Sequence, residues 1–258
     1  MNVIFLGPCF PPEMRDFTRG LKEAGARVFG VGDGPVDPRV KPYLDAYLRV
    51  PSLTRGDDVH ARVLEWVRGE SIDDVIGNWE PTMLTAARLR ESLQLPGMSS
   101  DAVMGFRDKP LMRSRVAEAG VRIPRTLRAT TVHEVLEAAQ ELNFPLVLKP
   151  VDGAGSADTF IIRDLGELKR QLPAMIHLNE VSVEEFIQGQ EFTYETISIN
   201  GSPVFEGMSR YEPNTLDARQ NEWISPIIQS LTHLNAPHLR KARLMGQRAM
   251  KALGMGTG

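Results

Sequence analysis

The chain has 258 residues, a formal net charge of -3 from 30 basic and 33 acidic residues, and a hydrophobic fraction of 42%. This balance excludes a basic nucleic-acid-binding protein and a disordered polar chain, and leaves enough apolar material for a core. The single cysteine, Cys9, excludes an intrachain disulfide, and no apolar run reaches the roughly 18 residues of a membrane span, so a cytoplasmic protein free of membrane and nucleic acid is expected.

Val3–Leu6 predicts a buried strand closed by Gly7-Pro8. Phe17–Ala24 predicts a helix stopped by Gly25, and residues 27–31 the next strand. Together they form a β-α-β unit whose crossover is right-handed. A helix over Val59–Arg68, a strand over Asp74–Gly77 and a helix over Pro81–Leu93 follow, the last with proline in its first turn. Residues 1–98 therefore read as a small open α/β domain.

Residues 101–119 predict one helical stretch ended by Gly120, and 121–124 an extended segment. Thr131 caps the next helix, with Glu134 three residues on completing a capping box. Phe144–Pro150 predicts a strand, 151–158 a glycine-rich loop, Thr159–Ile162 a strand and Gly166–Leu172 a short helix. Val181–Ile187 reads as a strand. Glu191–Ile199 and Pro203–Met208 read as a hairpin turned at Asn200-Gly201. Residues 211–222 read as an irregular loop, 237–253 as a helix, and 254–258 as the start of a strand.

Chemistry concentrates in three places. The first is Lys149 followed by Gly153-Ala154-Gly155-Ser156 between two strands, a layout that brings backbone amides close to phosphate oxygens. It is neither a P-loop nor a dinucleotide fingerprint, since no Gly-Lys-Ser/Thr and no helix follows. Taken alone, it reads equally as a hairpin turn with a solvated lysine. The second is Lys109, which by itself reads as a surface lysine and gains meaning only beside Lys149. The third is Val183-Glu184-Glu185-Phe186-Ile187-Gln188-Gly189-Gln190-Glu191-Phe192. Here a strand edge offers backbone groups to a base and a carboxylate suits two hydroxyls, although taken alone the segment reads equally as a solvated acidic strand end. Arg210, Arg219 and Arg240 suit a carboxylate or a phosphate, and serve equally well as solvated charges.

In this order, a lysine near a helix start, strand-lysine-glycine loop-strand, then Glu-Glu-Phe-Ile-x-Gly-x-Glu-Phe, the chain resembles the ATP-grasp superfamily. The resemblance implies a pre-ATP-grasp Rossmann-like domain over 1–98, the small central subdomain over 99–180 and the start of the large subdomain over 181–258. The fold class is thus α/β and α+β, with the C-terminal part incomplete. It implies an ATP-dependent ligase that activates a small carboxylate as an acyl phosphate for attack by an amine. A carboxylase or carbamoyl-phosphate synthetase type of enzyme, and a non-catalytic nucleotide-binding module, stay open as alternatives.

Position by position, the resemblance assigns Lys109 to the α-phosphate and Lys149 to a second phosphate contact. Gly153, Ala154, Gly155 and Ser156 match the lid over the β- and γ-phosphates. Glu184, Glu185 and Ile187 match the adenine edge, the last two acting through their backbone, and Glu191 matches the ribose carboxylate. Arg210 and Arg219 are the candidates for contact with the reacting groups. The family's magnesium ligands lie on later strands, so the resemblance leaves either a natural truncation or, the favoured reading, a fragment whose metal ligands fall beyond Gly258 and which is inactive without them. A homodimer is one assembly open to the chain.

Overall fold

The computed structural model describes residues 1–151, 159–175, 177–221 and 223–257, without the side chains of Leu216, Arg219 and Gln220. The chain divides into two packing units. The first comprises Met1–Ala119, Ile197–Phe205 and Arg248–Gly258; the second comprises Gly120–Thr196 and Glu206–Gln247. These units cut the chain elsewhere than at residues 98 and 180.

The first unit is built on a parallel sheet of β1 (Asn2–Leu6), β2 (Arg27–Gly32), β3 (Ala46–Arg49) and β4 (Asp74–Ile76), in the order β3-β2-β1-β4. Central strand β1 is apolar at every position from Val3 to Leu6 and is buried throughout, as a strand covered on both faces must be. Alternation divides its side chains. Ile4 and Leu6 join Val59, Val63 and Leu89, from α2 (Gly56–Trp66) and α3 (Glu80–Ser92). Val3 and Phe5 join Met14 of α1 (Met14–Glu23) on the other face. The sequence pattern anticipates β1, β2 and β4 but not β3, a four-residue strand with no fully buried residue.

The stretch 101–119 is two helices rather than one, α4 (Ser100–Arg107) and α5 (Lys109–Glu118). Pro110 cannot sit inside a continuous helix, because its ring would strike the carbonyl one turn back. The chain therefore breaks at Asp108, whose extended backbone and side chain cap α5 by accepting from Leu111 N–H at 2.8 Å. The expected strand start over 254–258 is corrected for its described residues: 254–257 form no strand, and are held instead by Gly201 N–H donating to the Gly256 carbonyl at 2.9 Å and Asn200 N–H to Thr257 Oγ1 at 3.0 Å.

The second unit holds a four-stranded antiparallel sheet of β5 (Thr126–Ala129), β6 (Leu146–Pro150), β7 (Phe160–Ile162) and β8 (Val181–Glu185), in the order β5-β8-β6-β7. Helix α6 (Val132–Leu142) covers one face and begins with the expected capping box of Thr131 and Glu134. Val135, Ala138, Ala139 and Leu142 pack there with Leu146, Leu148, Val181 and Val183. Helix α7 (Leu165–Gln171) adds Leu168 to the same core.

Strands β9 (Phe192–Ile199), β10 (Ser202–Glu212) and β11 (Ile227–Ser230) form a further sheet in the order β11-β10-β9. The β9–β10 turn has positive φ at both Asn200 (49°) and Gly201 (76°), as the Asn-Gly pair predicts. The expected irregular loop over 211–222 is corrected. Strand β10 runs on to Glu212, where Tyr211 and Glu212 pair with Ile228 and Ile227, and α8 (Thr215–Gln220) follows. That pairing partner lies too far along the chain for local polarity to reveal it. Helix α9 (Pro237–Ala252) falls where predicted.

Candidate functional site

Alternation along β6 and β8 builds the first cluster. Leu146 and Leu148 point into the core, so Lys149 belongs to the opposite face; Val181 and Val183 do the same for Ser182 and Glu184. The register sets Lys149 opposite Ser182 and Val147 opposite Glu184. Lys149 Nζ reaches Glu184 Oε2 at 2.8 Å, and Ser182 Oγ donates to Glu184 Oε1 at 2.9 Å. The Glu184 side chain is 8% exposed and that of Lys149 is 32% exposed. A carboxylate this deeply buried requires both a counter-charge and hydrogen bonds. An ammonium has three donors, so pairing with Glu184 is compatible with contact to a second anion.

Glu185 faces the other way chemically. Its backbone N–H donates to the Arg125 carbonyl at 2.9 Å, so that donor is committed to the chain entering β5. The Arg125 backbone N–H, and after it the Arg122 guanidinium, hold the Glu185 carboxyl below the usual range. Ile187 lies past the end of β8 and is 47% exposed.

Glu191 precedes β9 and is tied to the turn before α8. Its carboxylate accepts from Thr215 N–H at 2.9 Å, and Thr215 Oγ1 lies 2.8 Å from both of its oxygens. Tyr211 N–H donates to the Glu191 carbonyl at 3.1 Å, and Glu191 N–H donates to Asn214 Oδ1 at 3.3 Å.

Residues 106–211 match the ATP-grasp domain family. That stretch is similar to ATP-grasp domains. It is 25% identical over 187 residues to the L-arginine-specific L-amino acid ligase of Bacillus subtilis, covering 67% of this chain and 44% of that protein. It is 26% identical over 251 residues to the carbamoyl phosphate synthase large chain of Beutenbergia cavernae, covering 93% of this chain and 22% of that one. The fold is similar to that of phosphoribosylglycinamide synthetase from Anaerococcus prevotii, with a TM-score of 0.75 at 17% identity over 99% of this chain and 62% of the other. The chain thus spans less than half the length of either curated relative.

Within the matched stretch 106–211, the structure brings Lys149 and Glu184 together and adds Ser182 to them. Sequence reasoning passed over Ser182, although its place two residues before Glu184 on a strand already implied a shared face. It also passed over Thr215 and Asn214, for which no local signal exists. Lys109 is the first residue of α5, exposed, and belongs to the first unit, whereas Lys149 belongs to the second. Arg210 lies on β10, where its Nη2 donates to Gln229 Oε1 at 2.8 Å. The side chain of Arg219 and the loop residues Gly153, Ala154, Gly155 and Ser156 lie outside the described residues.

Among the described residues, no three His, Cys, Asp or Glu side chains come together to hold a metal ion. No described helix is long and apolar enough to cross a membrane.

Proposed function

We propose that this chain forms the nucleotide-binding part of an ATP-dependent ligase that activates a small carboxylate for attack by an amine. The observation that carries this reading is the Lys149–Glu184 pair, set on adjacent strands within the stretch that matches the ATP-grasp family, with Lys149 shortly before the glycine-rich segment in sequence. The donor set suits a nucleotide: an ammonium for phosphate, a strand end for a base and a carboxylate for a diol.

In this reading ATP supplies the γ-phosphoryl group, which passes to a carboxylate oxygen to give an acyl phosphate and ADP. Amine nitrogen then bonds to the acyl carbon as the C–O bond to phosphate breaks, phosphate leaves and the nitrogen gives up a proton. Lys149 and Lys109 hold phosphate oxygens and neutralise their charge, and the amides of 153–156 close over the β- and γ-phosphates. Glu184, Glu185 and Ile187 frame the adenine, and Glu191 takes the ribose hydroxyls. Arg210 and Arg219 are assigned to the incoming carboxylate or the γ-phosphate. The magnesium implied by such chemistry is assigned to no described residue of this chain. The reading divides the chain into 1–98, 99–180 and 181–258 and expects a cytoplasmic protein, with a homodimer as one assembly open to it.

The relationship to an amino acid ligase supports an amino acid as the carboxylate. The relationship to a carbamoyl phosphate synthase, which extends over 93% of the chain, supports a second reading with bicarbonate in that place. A phosphate-release screen across amino acids, other small carboxylates and bicarbonate, run with the full-length protein, separates the two. Nucleotide binding without phosphate release from any of them would leave a binding module. Calorimetry showing that neither ATP nor ADP binds would overturn the proposal.

A further inference from the structure

The carboxylate of Glu191 is held in place by the chain itself. Thr215 donates its backbone N–H to Oε2 at 2.9 Å and sets Oγ1 at 2.8 Å from both oxygens. The backbone on either side of Glu191 is fastened to the same turn. Tyr211 N–H donates to the Glu191 carbonyl at 3.1 Å, Glu191 N–H donates to Asn214 Oδ1 at 3.3 Å, and Asn214 Nδ2 donates to the Gly189 carbonyl at 3.1 Å. Residues 189–191 and 211–215 are thus joined at both backbone and side chain, about 20 residues apart along the chain and within one packing unit.

We propose that Thr215 is a positioning residue for Glu191, one that fixes the direction of the carboxylate receiving the ribose hydroxyls; this rests on the ribose reading of Glu191 given above. A carboxylate has about four lone-pair directions, and the two donors of Thr215 leave others for a vicinal diol. Glu191 is only half-buried and Thr215 is exposed, so a ligand can reach those directions. A glutamate side chain that is free to rotate must be ordered when it binds, and that ordering weakens association. Thr215 removes this cost beforehand. It also sets the plane of the two oxygens, and with it the selection of a nucleotide that carries both hydroxyls.

The test is calorimetric binding of ADP, 2′-deoxy-ADP and 3′-deoxy-ADP to the 258-residue chain. Glu191→Gln is expected to abolish most of the preference for ADP over the deoxy forms. Thr215→Val keeps the β-branched shape and the backbone donor but lacks the hydroxyl, and is expected to reduce that preference about three- to tenfold. Thr215→Ser restores it, which a loss of folding would not allow. If Thr215→Val binds ADP more tightly than the parent chain, Thr215 competes with the ribose and the proposal fails. If Thr215→Val keeps the full preference while Glu191→Gln loses it, positioning by Thr215 is wrong and the ribose reading stands. If Glu191→Gln keeps the full preference, the ribose reading itself is wrong and the inference falls with it.

Discussion

The ammonium of Lys149 sits 2.8 Å from Oε2 of Glu184, on neighbouring antiparallel strands whose register sets Lys149 opposite Ser182. Thirty-five residues separate the two along the chain. In the proposed reading Lys149 is both a binding group and a structural one, and the two roles can be measured apart. Lys149→Met removes the counter-charge of a buried carboxylate. A fully buried pair broken this way costs about 3–5 kcal/mol, and the exposure of Lys149 lowers the expectation to about 1–3 kcal/mol. ADP affinity should fall more than about tenfold, consistent with losing a charge-assisted contact. Urea denaturation reads the first effect and calorimetry the second. Affinity unchanged in a folded variant would remove Lys149 from the phosphate site.

Asp108 starts the helix that carries Lys109 at its first position. Asp108→Ala deletes the acceptor for Leu111 N–H, and should lower stability by about 1 kcal/mol. If Lys109 serves the nucleotide, ADP affinity should fall in the same variant, because the helix start that places the lysine frays. A loss of stability with full affinity would separate Lys109 from the binding site.

Gly246 lies on α9 where a Cβ would overlap the ring of Tyr194. That ring cannot swing aside freely, because its hydroxyl donates to Glu206 Oε1 at 2.6 Å. Helix propensity favours alanine over glycine by about 1 kcal/mol, but overpacking against a held ring costs about 1–3 kcal/mol. Gly246→Ala should therefore lower Tm, and Tyr194→Leu combined with it should recover part of the loss. A higher Tm for the single variant would show that propensity wins.

The cluster around Glu206 sets a pH dependence. Hydrogen bonds from Arg243, then from Tyr194 and Gln247, hold the Glu206 carboxyl down at about 2, against an ordinary 4.5. A carboxyl that is more acidic folded than unfolded contributes stability above the ordinary value, and loses it as the pH falls through the folded one. The parent chain should therefore lose stability between about pH 4.5 and 2, and Glu206→Gln should show a flatter decline across that window. Burial, and then the bond to Glu206, push Tyr194 up to about 12. Its contribution is complete below about pH 10 and disappears towards 12, a decline that Tyr194→Phe should lack. Thermal melts across both ranges provide the measurement. Parallel curves for parent and variant would contradict the assignment.

Local pattern made much of the fold readable. The apolar run Val3–Leu6, the Asn200-Gly201 turn and the Thr131–Glu134 capping box each encode their structure within a few residues, and each forms as expected. Strands β3, β5 and β11 were missed because they are short and their partners are distant in sequence; β11, with all four residues exposed, carries no burial pattern at all. The break at Asp108 was readable in principle from Pro110, but the continuous helical composition around it hid the break.

By itself the sequence determined which residue types stand in which order: lysine, glycine-rich segment, acidic strand end, glutamate. It also determined which face of each strand is apolar, since a period of two or 3.6 is a local property of the chain. Only the tertiary structure decided which of those residues meet. Glu184 joins Lys149, while Glu191 turns to Thr215, and neither partnership can be derived from spacing. The physical reason is register. A strand fixes its own faces, but a neighbour thirty or more residues away can slide by two without disturbing them, and only packing of the whole sheet selects the alignment.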